Sequence, residues 1–190
     1  MKTILKRTRY ILFFPFLWLS AAQFFVREAL FGFENACNYL KKLSNSCVII
    51  ILRLRGATVG KNCDIQSGLI FHNCTNFKNL SIGDNCHIGK DCFFDLRDRV
   101  NIGENVVISM RSILITHMDM SKSVLSKTYP ATSAPITIGD NTYIGCGVTI
   151  LMGCSIGACA VIAACTLVRH DVADMAKVAG VPARKICDVN

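Results

Sequence analysis

The histidine residues show where this chain could do acid–base chemistry. There are four; His72 and His87 fall inside a regular six-residue repeat, and His170 follows its last unit. His117 stands at the start of a long interruption of that repeat. An imidazole titrates near neutral pH, so it can take the proton of an attacking hydroxyl. His117 is therefore the candidate general base, and Asp119 either orients its ring or faces solvent.

Eleven cysteines raise the question of disulfides or a zinc site. No two of them have Cys-x-x-Cys spacing, and four stand at the fifth place of a six-residue unit, where a small side chain is needed: Cys63, Cys86, Cys92 and Cys154. Reduced cysteine packs as a small hydrophobe, so we expect packing thiols in a cytosolic protein. A zinc site of three histidines would need a second histidine five places after His117, but Lys122 stands there. We expect no metal.

The six-residue repeat determines the expected fold. From Ile138 to Val168 an apolar residue returns at every sixth position. A helix has a period of 3.6 residues and a strand a period of two, so neither produces this pattern. A short repeat of this kind is typical of a solenoid. Carried back along the chain, the frame gives five groups of three: Val59/Ile65/Phe71, Ile82/Ile88/Phe94, Ile102/Ile108/Leu114, Ile138/Ile144/Ile150 and Ile156/Ile162/Val168.

Three insertions break the frame. Five extra residues separate the first two groups, two separate the second from the third, and eighteen separate the third from the fourth. The longest is an excursion over residues 115–137, and loops of that length are usually functional or disordered. We predict a β-helix domain over residues 57–172 that carries this loop, followed by a short C-terminal tail over residues 173–190.

The basic charge is concentrated at the start of the chain. Residues 1–56 hold nine Lys and Arg against two Glu, while residues 57–190 are nearly balanced. An apolar stretch over residues 10–26 contains Pro15 and is short for a span of about twenty residues. This pattern favours an anionic membrane surface over nucleic acid. We expect a helical, membrane-seeking segment that lies on or spans the membrane, or else a helical hairpin against the solenoid, with a second helix over residues 35–55.

Three longer strings resemble the left-handed β-helix, hexapeptide-repeat acyltransferases. They start at Ile113 (ILITH), Ala134 (APITIGDNTYIG) and Val178 (VAGVPARKI), and the likeness covers residues 57–186. The last string is similar to the ending of galactoside, maltose and exopolysaccharide O-acetyltransferases. An Asp-x-Arg motif over residues 95–97 is more like the colanic-acid and O-antigen enzymes. The resemblance implies an all-β fold, a left-handed parallel β-helix of about five coils.

The same resemblance implies a homotrimer, acetyl-CoA as the acyl donor and a set of site residues. His117 matches the general base of the family. The residues implied to meet acetyl-CoA, in a groove between subunits, are Cys146, Ala164, Arg169 and Arg184. Asp95 and Arg97 lie in the two-residue insertion close to the coil of His117. They either bind the acceptor or form a local salt bridge.

These inferences together predict an O-acetyltransferase. It would move an acetyl group from acetyl-CoA to a sugar hydroxyl of a surface polysaccharide or its lipid-linked precursor. We expect it in the cytoplasm, at the inner face of the cytoplasmic membrane. Two other functions stay open: acetylation of a small molecule, such as a free sugar or an antibiotic, and a non-enzymatic scaffold.

Overall fold

Three helices precede the repeat region in the computed structural model, which describes residues 2–189 and the side chains from Pro15 onward. They are α1 (Lys2–Phe31), α2 (Phe33–Leu40) and α3 (Asn45–Leu54). α1 continues through Pro15, and Gly32, at φ 84°, turns the chain into α2. The inner sides of the helices share one core with the repeat region. In the described part of the chain, none of the helices combines the length and apolar character needed to cross a bilayer.

The single helix predicted over residues 35–55 is wrong, because the structure has two helices there. The chain turns through residues 41–44, and Ser44 takes the N-cap position of α3. This turn brings α3 across the first coil of the solenoid. There the Asn45 side chain accepts a 2.9 Å hydrogen bond from the Ile65 amide.

Short strands stack in three sheets, which are parallel except for the last strand of sheet B. Sheet A contains β1 (Thr58–Val59), β4 (Leu80–Ile82), β7 (Val100–Ile102), β12 (Ile136–Ile138) and β15 (Ser155–Ile156). Sheet B contains β2 (Asp64–Ile65), β5 (His87–Ile88), β8 (Val107–Ile108), β13 (Tyr143–Ile144), β16 (Val161–Ile162), β18 (Ala176–Ala179) and β19 (Arg184–Asp188). Sheet C contains β3 (Ile70–His72), β6 (Phe93–Asp95), β9 (Ile113–Leu114), β14 (Thr149–Ile150) and β17 (Leu167–Val168). The long loop holds β10 (His117–Met118), a 3₁₀ turn (Val124–Lys127) and β11 (Thr132–Ser133).

The predicted parallel β-solenoid is confirmed by its core. All fifteen apolar residues of the five predicted groups are buried. They stack in register, as where Ile138 lies between Ile102 and Ile156. Burying an aliphatic side chain of this size contributes about 1.5–3 kcal/mol, so each coil is stabilised by its neighbours. The four cysteines expected to pack as small hydrophobes are buried free thiols.

Asparagines form one corner of the solenoid. Asn62, Asn85, Asn105 and Asn141 have φ angles between 55° and 58°, which asparagine tolerates better than most residues. Their side-chain amides bond from coil to coil at 3.1–3.2 Å. The Gly-Asp-Asn and Gly-Glu-Asn turns of the sequence therefore place their asparagines in the left-handed region of backbone conformation.

The solenoid has about six turns rather than about five, because part of the predicted tail adds an incomplete turn. β18 continues sheet B beside β16, with Val178 next to Ile162. β19 then folds back antiparallel to β18. The six-residue spacing does not predict this turn, because Val172 follows Val168 by four residues instead of six.

Candidate active site

The longest insertion opens the solenoid wall after β9 and presents His117. This residue begins β10, and it lies opposite Ser133 in the antiparallel pair with β11. Thr116, directly before it, is fully buried, and its hydroxyl donates a 3.0 Å hydrogen bond to the carbonyl of Asp95. The imidazole itself is 19% exposed. It is therefore held firmly on most sides and can still be reached by a small reactant.

Asp95, at the end of β6, holds the imidazole through a buried hydrogen bond. Its Oδ2 lies 2.5 Å from His117 Nδ1, and its side chain is 1% exposed. The Thr116 amide donates to the same carboxylate oxygen at 2.8 Å, and the Thr116 hydroxyl oxygen lies 3.0 Å from it. Because Nδ1 carries the proton that binds Asp95, the free electron pair of the ring is on Nε2. Nε2 is therefore the atom that can accept a proton from a substrate.

The Asp95 carboxyl is ionised in spite of its burial. Burial raises its pKa, but hydrogen bonds from His117, Thr116 and Asn73 outweigh that effect and leave the pKa below its usual value. A fixed negative charge beside the ring stabilises the imidazolium that forms when His117 accepts a proton. The pair therefore has the electrostatics of a general base and the group that positions it.

Asn73 belongs to this cluster and was missed in the sequence. Its side-chain amide donates a 3.1 Å hydrogen bond to Asp95 Oδ1. The same nitrogen lies 3.2 Å from Nε2 and 3.3 Å from Nδ1 of His117, so it packs beside the ring rather than on one nitrogen. The signal that could have found it is register. His72 pairs with Asp95, which places the next residue at the same corner of the coil.

Arg97 and Asp119 form a separate ion pair beside the loop. Arg97 Nη1 lies 3.4 Å from Asp119 Oδ2, and Asp119 Oδ1 accepts a 2.9 Å bond from the Ser121 amide. The Ser121 hydrogen bonds, and less strongly Arg97, lower the pKa of Asp119. Asp95, and not Asp119, contacts the His117 ring. The acceptor-binding role predicted for Asp95 stays a prediction, and its carboxylate is buried against that ring.

Cys146 and Ala164 lie on the coils after His117. Both are exposed. Their coils are joined by a 2.8 Å bond from the Cys165 amide to the Cys146 carbonyl. The two residues therefore lie on neighbouring coils at one outer surface, and their contact with the acyl donor stays a prediction.

Arg169 and Arg184 lie at the end of the solenoid. Arg169 is exposed and lines a cleft of about 260 Å³ together with Ala183, the neighbour of Arg184. Arg169 Nε donates a 3.0 Å hydrogen bond to His170 Nε2. Among the described residues, no hydrogen bond or ion pair connects either arginine to His117 in the same chain.

The repeat region matches two family models. Residues 135–170 match the bacterial transferase hexapeptide model of six repeats, and residues 79–113 match the hexapeptide repeat of succinyl-transferase. Both stretches stack their sixth residues in the solenoid core described above. These two stretches of the chain are therefore similar to hexapeptide-repeat transferases.

Relatives of this hexapeptide-repeat chain include enzymes named for saccharide substrates. It is 35% identical over 140 residues to galactoside O-acetyltransferase of Escherichia coli K12, which covers 70% of the chain and 64% of that protein. It is 31% identical over 107 residues to WcaF of the same organism, assigned as a colanic acid biosynthesis acetyltransferase, with 56% of each protein covered. The chain thus spans less than two thirds of the length of these relatives.

Two solved structures share the fold of this hexapeptide-repeat chain. A galactoside acetyltransferase in complex with coenzyme A has a TM-score of 0.71 at 26% identity, covering 94% of this chain and 83% of that one. A maltose O-acetyltransferase from Clostridium difficile 630 also has a TM-score of 0.71 at 26% identity, covering 83% and 86%. The likeness extends over the N-terminal helices as well as the solenoid in the first comparison, because 94% of the chain is covered.

The cluster around His117 contains the groups that a proton transfer would need. It combines a partly exposed imidazole, a buried carboxylate and an amide that fixes both. In the part of the chain that the structure describes, no group of three or more His, Cys, Asp or Glu side chains is arranged to hold a metal ion. What the cluster can do chemically is remove a proton from a hydroxyl held at His117 Nε2.

Proposed function

We propose that this protein is an acetyl-CoA-dependent O-acetyltransferase acting on a sugar hydroxyl of a surface polysaccharide or its lipid-linked precursor. The observation that carries the proposal is the His117–Asp95 pair, which puts the ring proton on Nδ1 and the electron pair on Nε2, where the solenoid wall opens. The relatives named as galactoside and colanic-acid acetyltransferases support an acetyl donor and a saccharide acceptor. The solved galactoside enzyme, which holds coenzyme A, supports the donor.

The proposed reaction needs one proton transfer and no protein nucleophile. His117 Nε2 takes the proton of the acceptor hydroxyl while its oxygen attacks the thioester carbonyl of acetyl-CoA. A backbone amide stabilises the oxyanion, and the exposed Cys146 amide is our candidate. The tetrahedral intermediate then breaks its carbon–sulfur bond, and the imidazolium returns the proton to the leaving thiolate. The products are the O-acetyl sugar and coenzyme A.

We propose that three copies assemble through sheet C. The outward residues of sheet A are polar: Thr58, Ser81, Asn101, Thr137 and Ser155. Those of sheet C are mostly apolar: Ile70, Phe93, Ile113, Thr149 and Leu167. A mostly apolar exposed face of this kind is typical of a protein–protein contact. A second copy on sheet C would enclose a groove beside the loop that carries His117.

In this trimer, acetyl-CoA would lie in the groove between two subunits. Cys146 and Ala164 would contact its thioester arm, since both are exposed on neighbouring coils. Arg169 and Arg184 would bind its phosphates, because a guanidinium donates paired hydrogen bonds to phosphate oxygens. The two arginines lie near one cleft at the end of the solenoid, which suits the far end of a long donor.

We propose further that α1 rests on the inner face of the cytoplasmic membrane. Its inner side, with Phe24, is buried, whereas Leu19, Val26, Leu30 and Phe31 are more than half exposed. Residues 1–56 carry nine basic against two acidic side chains. Exposed apolar side chains on a basic helix favour binding to an anionic lipid surface. This position would bring His117 towards a lipid-linked acceptor.

The proposal is tested by following labelled acetyl groups. The purified protein is incubated with labelled acetyl-CoA and bacterial membrane extract, and lipid-linked saccharides, polysaccharide and small molecules are separated. We expect protein-dependent label in a saccharide of the first two fractions, and none with His117→Ala. Label confined to free sugars or other small molecules would refute the proposed acceptor. Absence of label in every fraction would refute acetyl transfer.

A further inference from the structure

A positively charged cleft lies between the end of α3 and the insertion after β3. It encloses about 300 Å³ and is lined by Leu54, Arg55, Gly56, Thr75, Asn76 and Lys78; we call it the cationic cleft. Two cations, a hydroxyl and an amide line it. The reaction proposed above, which uses His117 and the later coils, does not involve these residues.

Lys78 places an unpaired ammonium group at this cleft. Its side chain is exposed, and no described carboxylate lies within ion-pair distance of it. Its stem crosses Gly56 closely, since a Cβ at Gly56 would lie 2.7 Å from Lys78 Cγ. Gly56 also has a φ of 100°, which favours glycine. The close crossing fixes the direction of the lysine stem.

Arg55 adds a second cation with unused donors. Its Nη2 binds the Glu28 carboxylate and, at 3.3 Å, the Thr75 carbonyl. Its guanidinium lies over the Phe33 ring, 5.3 Å from the centroid. Neither Nε nor Nη1 bonds to another described residue. Because Glu28 balances one of the two cations, the cleft retains one net positive charge. Its free N–H donors are on Lys78 Nζ and Arg55 Nη1, since Arg55 Nε is buried.

The cationic cleft adjoins the candidate active site. Phe33, which lies under Arg55, also lines a cleft of about 200 Å³ with Asn73 and Cys74. Asn73 contacts His117 and Asp95. Asn76 is only three residues further along the chain, and three extended residues span at most about 11 Å. Asn73, which contacts His117, therefore lies within about 11 Å along the chain of Asn76 at the cationic cleft.

We propose that the cationic cleft binds the phosphate or diphosphate group of a phosphorylated acceptor. An ammonium and a guanidinium are the side chains that best recognise phosphate oxygens. Thr75 and Asn76 supply further polar groups at the same cleft. This inference rests on the proposed function, because it assumes that the acceptor hydroxyl lies at His117. It narrows the acceptor class to sugars that carry a phosphate ester or diphosphate linkage.

Binding is tested without acetyl transfer, so that it stands apart from the proposed function. Inorganic pyrophosphate is titrated into the full chain saturated with coenzyme A, which occupies the proposed donor site, and followed by calorimetry. Lys78→Gln should raise its Kd about tenfold, Lys78→Arg should restore most of the affinity, and Lys90→Gln, an exposed lysine on another turn, should leave it unchanged. No pyrophosphate binding, or equal binding by Lys78→Gln, would overturn the proposal.

The acceptor is tested by kinetics with matched pairs of substrates. For a diphosphate-linked sugar, Lys78→Gln should raise KM about tenfold and leave kcat unchanged; for the same sugar without phosphate, both constants should stay the same. If Lys78→Gln raises KM equally for an acceptor that carries a uronic acid in place of phosphate, the assignment to phosphate is overturned.

A lipid headgroup is the other source of phosphate at a membrane surface. Vesicles of phosphatidylglycerol and of phosphatidylcholine are therefore compared in cosedimentation. We expect Lys78→Gln to leave binding to both vesicles unchanged. Loss of binding to phosphatidylglycerol, with an unchanged KM for the diphosphate-linked sugar, would show that the cleft serves the headgroup and would overturn the proposal.

Discussion

Two histidine–aspartate pairs in this protein show what separates a candidate base from a structural contact. In both, an aspartate Oδ2 faces a histidine Nδ1, at 2.5 Å for Asp95–His117 and 2.9 Å for Asp64–His87. The first pair is buried, with exposures of 1% and 19%. The second is open, with Asp64 49% and His87 41% exposed. The pairing is therefore the same, and burial and position distinguish the two.

The surroundings of the second pair explain its different role. Asp64 also accepts hydrogen bonds from Gln66 at 2.9 Å and from Asn45 of α3 at 3.2 Å. It therefore helps to fix α3 on the first coil. Exposed ion pairs contribute about 0–1 kcal/mol, because water screens the charges. His87 also lies on the regular wall of sheet B, where the chain leaves no opening.

Substitution of the aspartate by asparagine should lower the rate of acetyl transfer far more at Asp95 than at Asp64. The amide can donate to Nδ1, which moves the ring proton to Nε2 and removes the free electron pair. We expect kcat/KM to fall about 10³-fold, whereas Asp64→Asn should change it less than about twofold. Steady-state acetyl transfer measures both. Equal losses in the two variants would mean that burial of the pair is irrelevant to its role.

The same substitution should alter the dependence of stability on pH. The folded pKa of Asp95 lies below its unfolded value of about 3.9, so its ionised form stabilises the fold above about pH 4. That contribution is lost as the pH falls through the lowered folded value. We expect the difference in free energy of unfolding between the original chain and Asp95→Asn to shrink between pH 5 and about pH 3. Urea unfolding across this range measures it, and a constant difference would exclude an ionised, stabilised Asp95.

Asn73→Ala should have an intermediate effect. It removes the hydrogen bond to Asp95 Oδ1 and the contact beside the His117 ring. A single positioning hydrogen bond contributes about 1–1.5 kcal/mol, so we expect a rate loss of about tenfold. The loss should appear in kcat, and the acidic limb of the pH–rate profile should move as well. A change in KM alone would assign Asn73 to acceptor binding instead.

Asp119→Asn should have the smallest effect. Its ion pair with Arg97 is partly exposed and does not touch the imidazole. We expect kcat/KM to stay within about threefold of the original value. Arg97→Ala, which removes the other partner of the ion pair, should give the same result. A hundredfold loss in Asp119→Asn would show that Asp119 reaches His117 in the working enzyme.

The repeat predicts the solenoid because the same six-residue period occurs in every coil. The site residues lie instead at the insertions that interrupt this period. His117 could be found from its place at the start of the longest insertion. The sequence placed Asp95 near the coil of His117 but in another role and missed Asn73, because both residues meet this histidine only when insertions of different length stack on one another. The last turn was not predicted for a related reason: Val172 follows Val168 by four residues, two fewer than the six-residue repeat requires.

The helical segment was harder to predict than the solenoid. Its apolar stretches have no single period, and tertiary contacts decide where helices end. Ser44 was an available signal for the start of α3, because serine is favoured at the N-cap. The turn before it satisfies a contact between Asn45 and the first coil, which local sequence does not encode.

The decisive measurement is kcat/KM for acetyl transfer in His117→Ala beside His87→Ala. Both variants remove an imidazole that is bonded through Nδ1 to an aspartate. Loss of a general base costs about 10²–10⁴-fold, so we expect that loss in His117→Ala and less than a twofold change in His87→Ala. If His117→Ala retains the original rate, or if His87→Ala loses as much, the buried pair is not the base of this reaction.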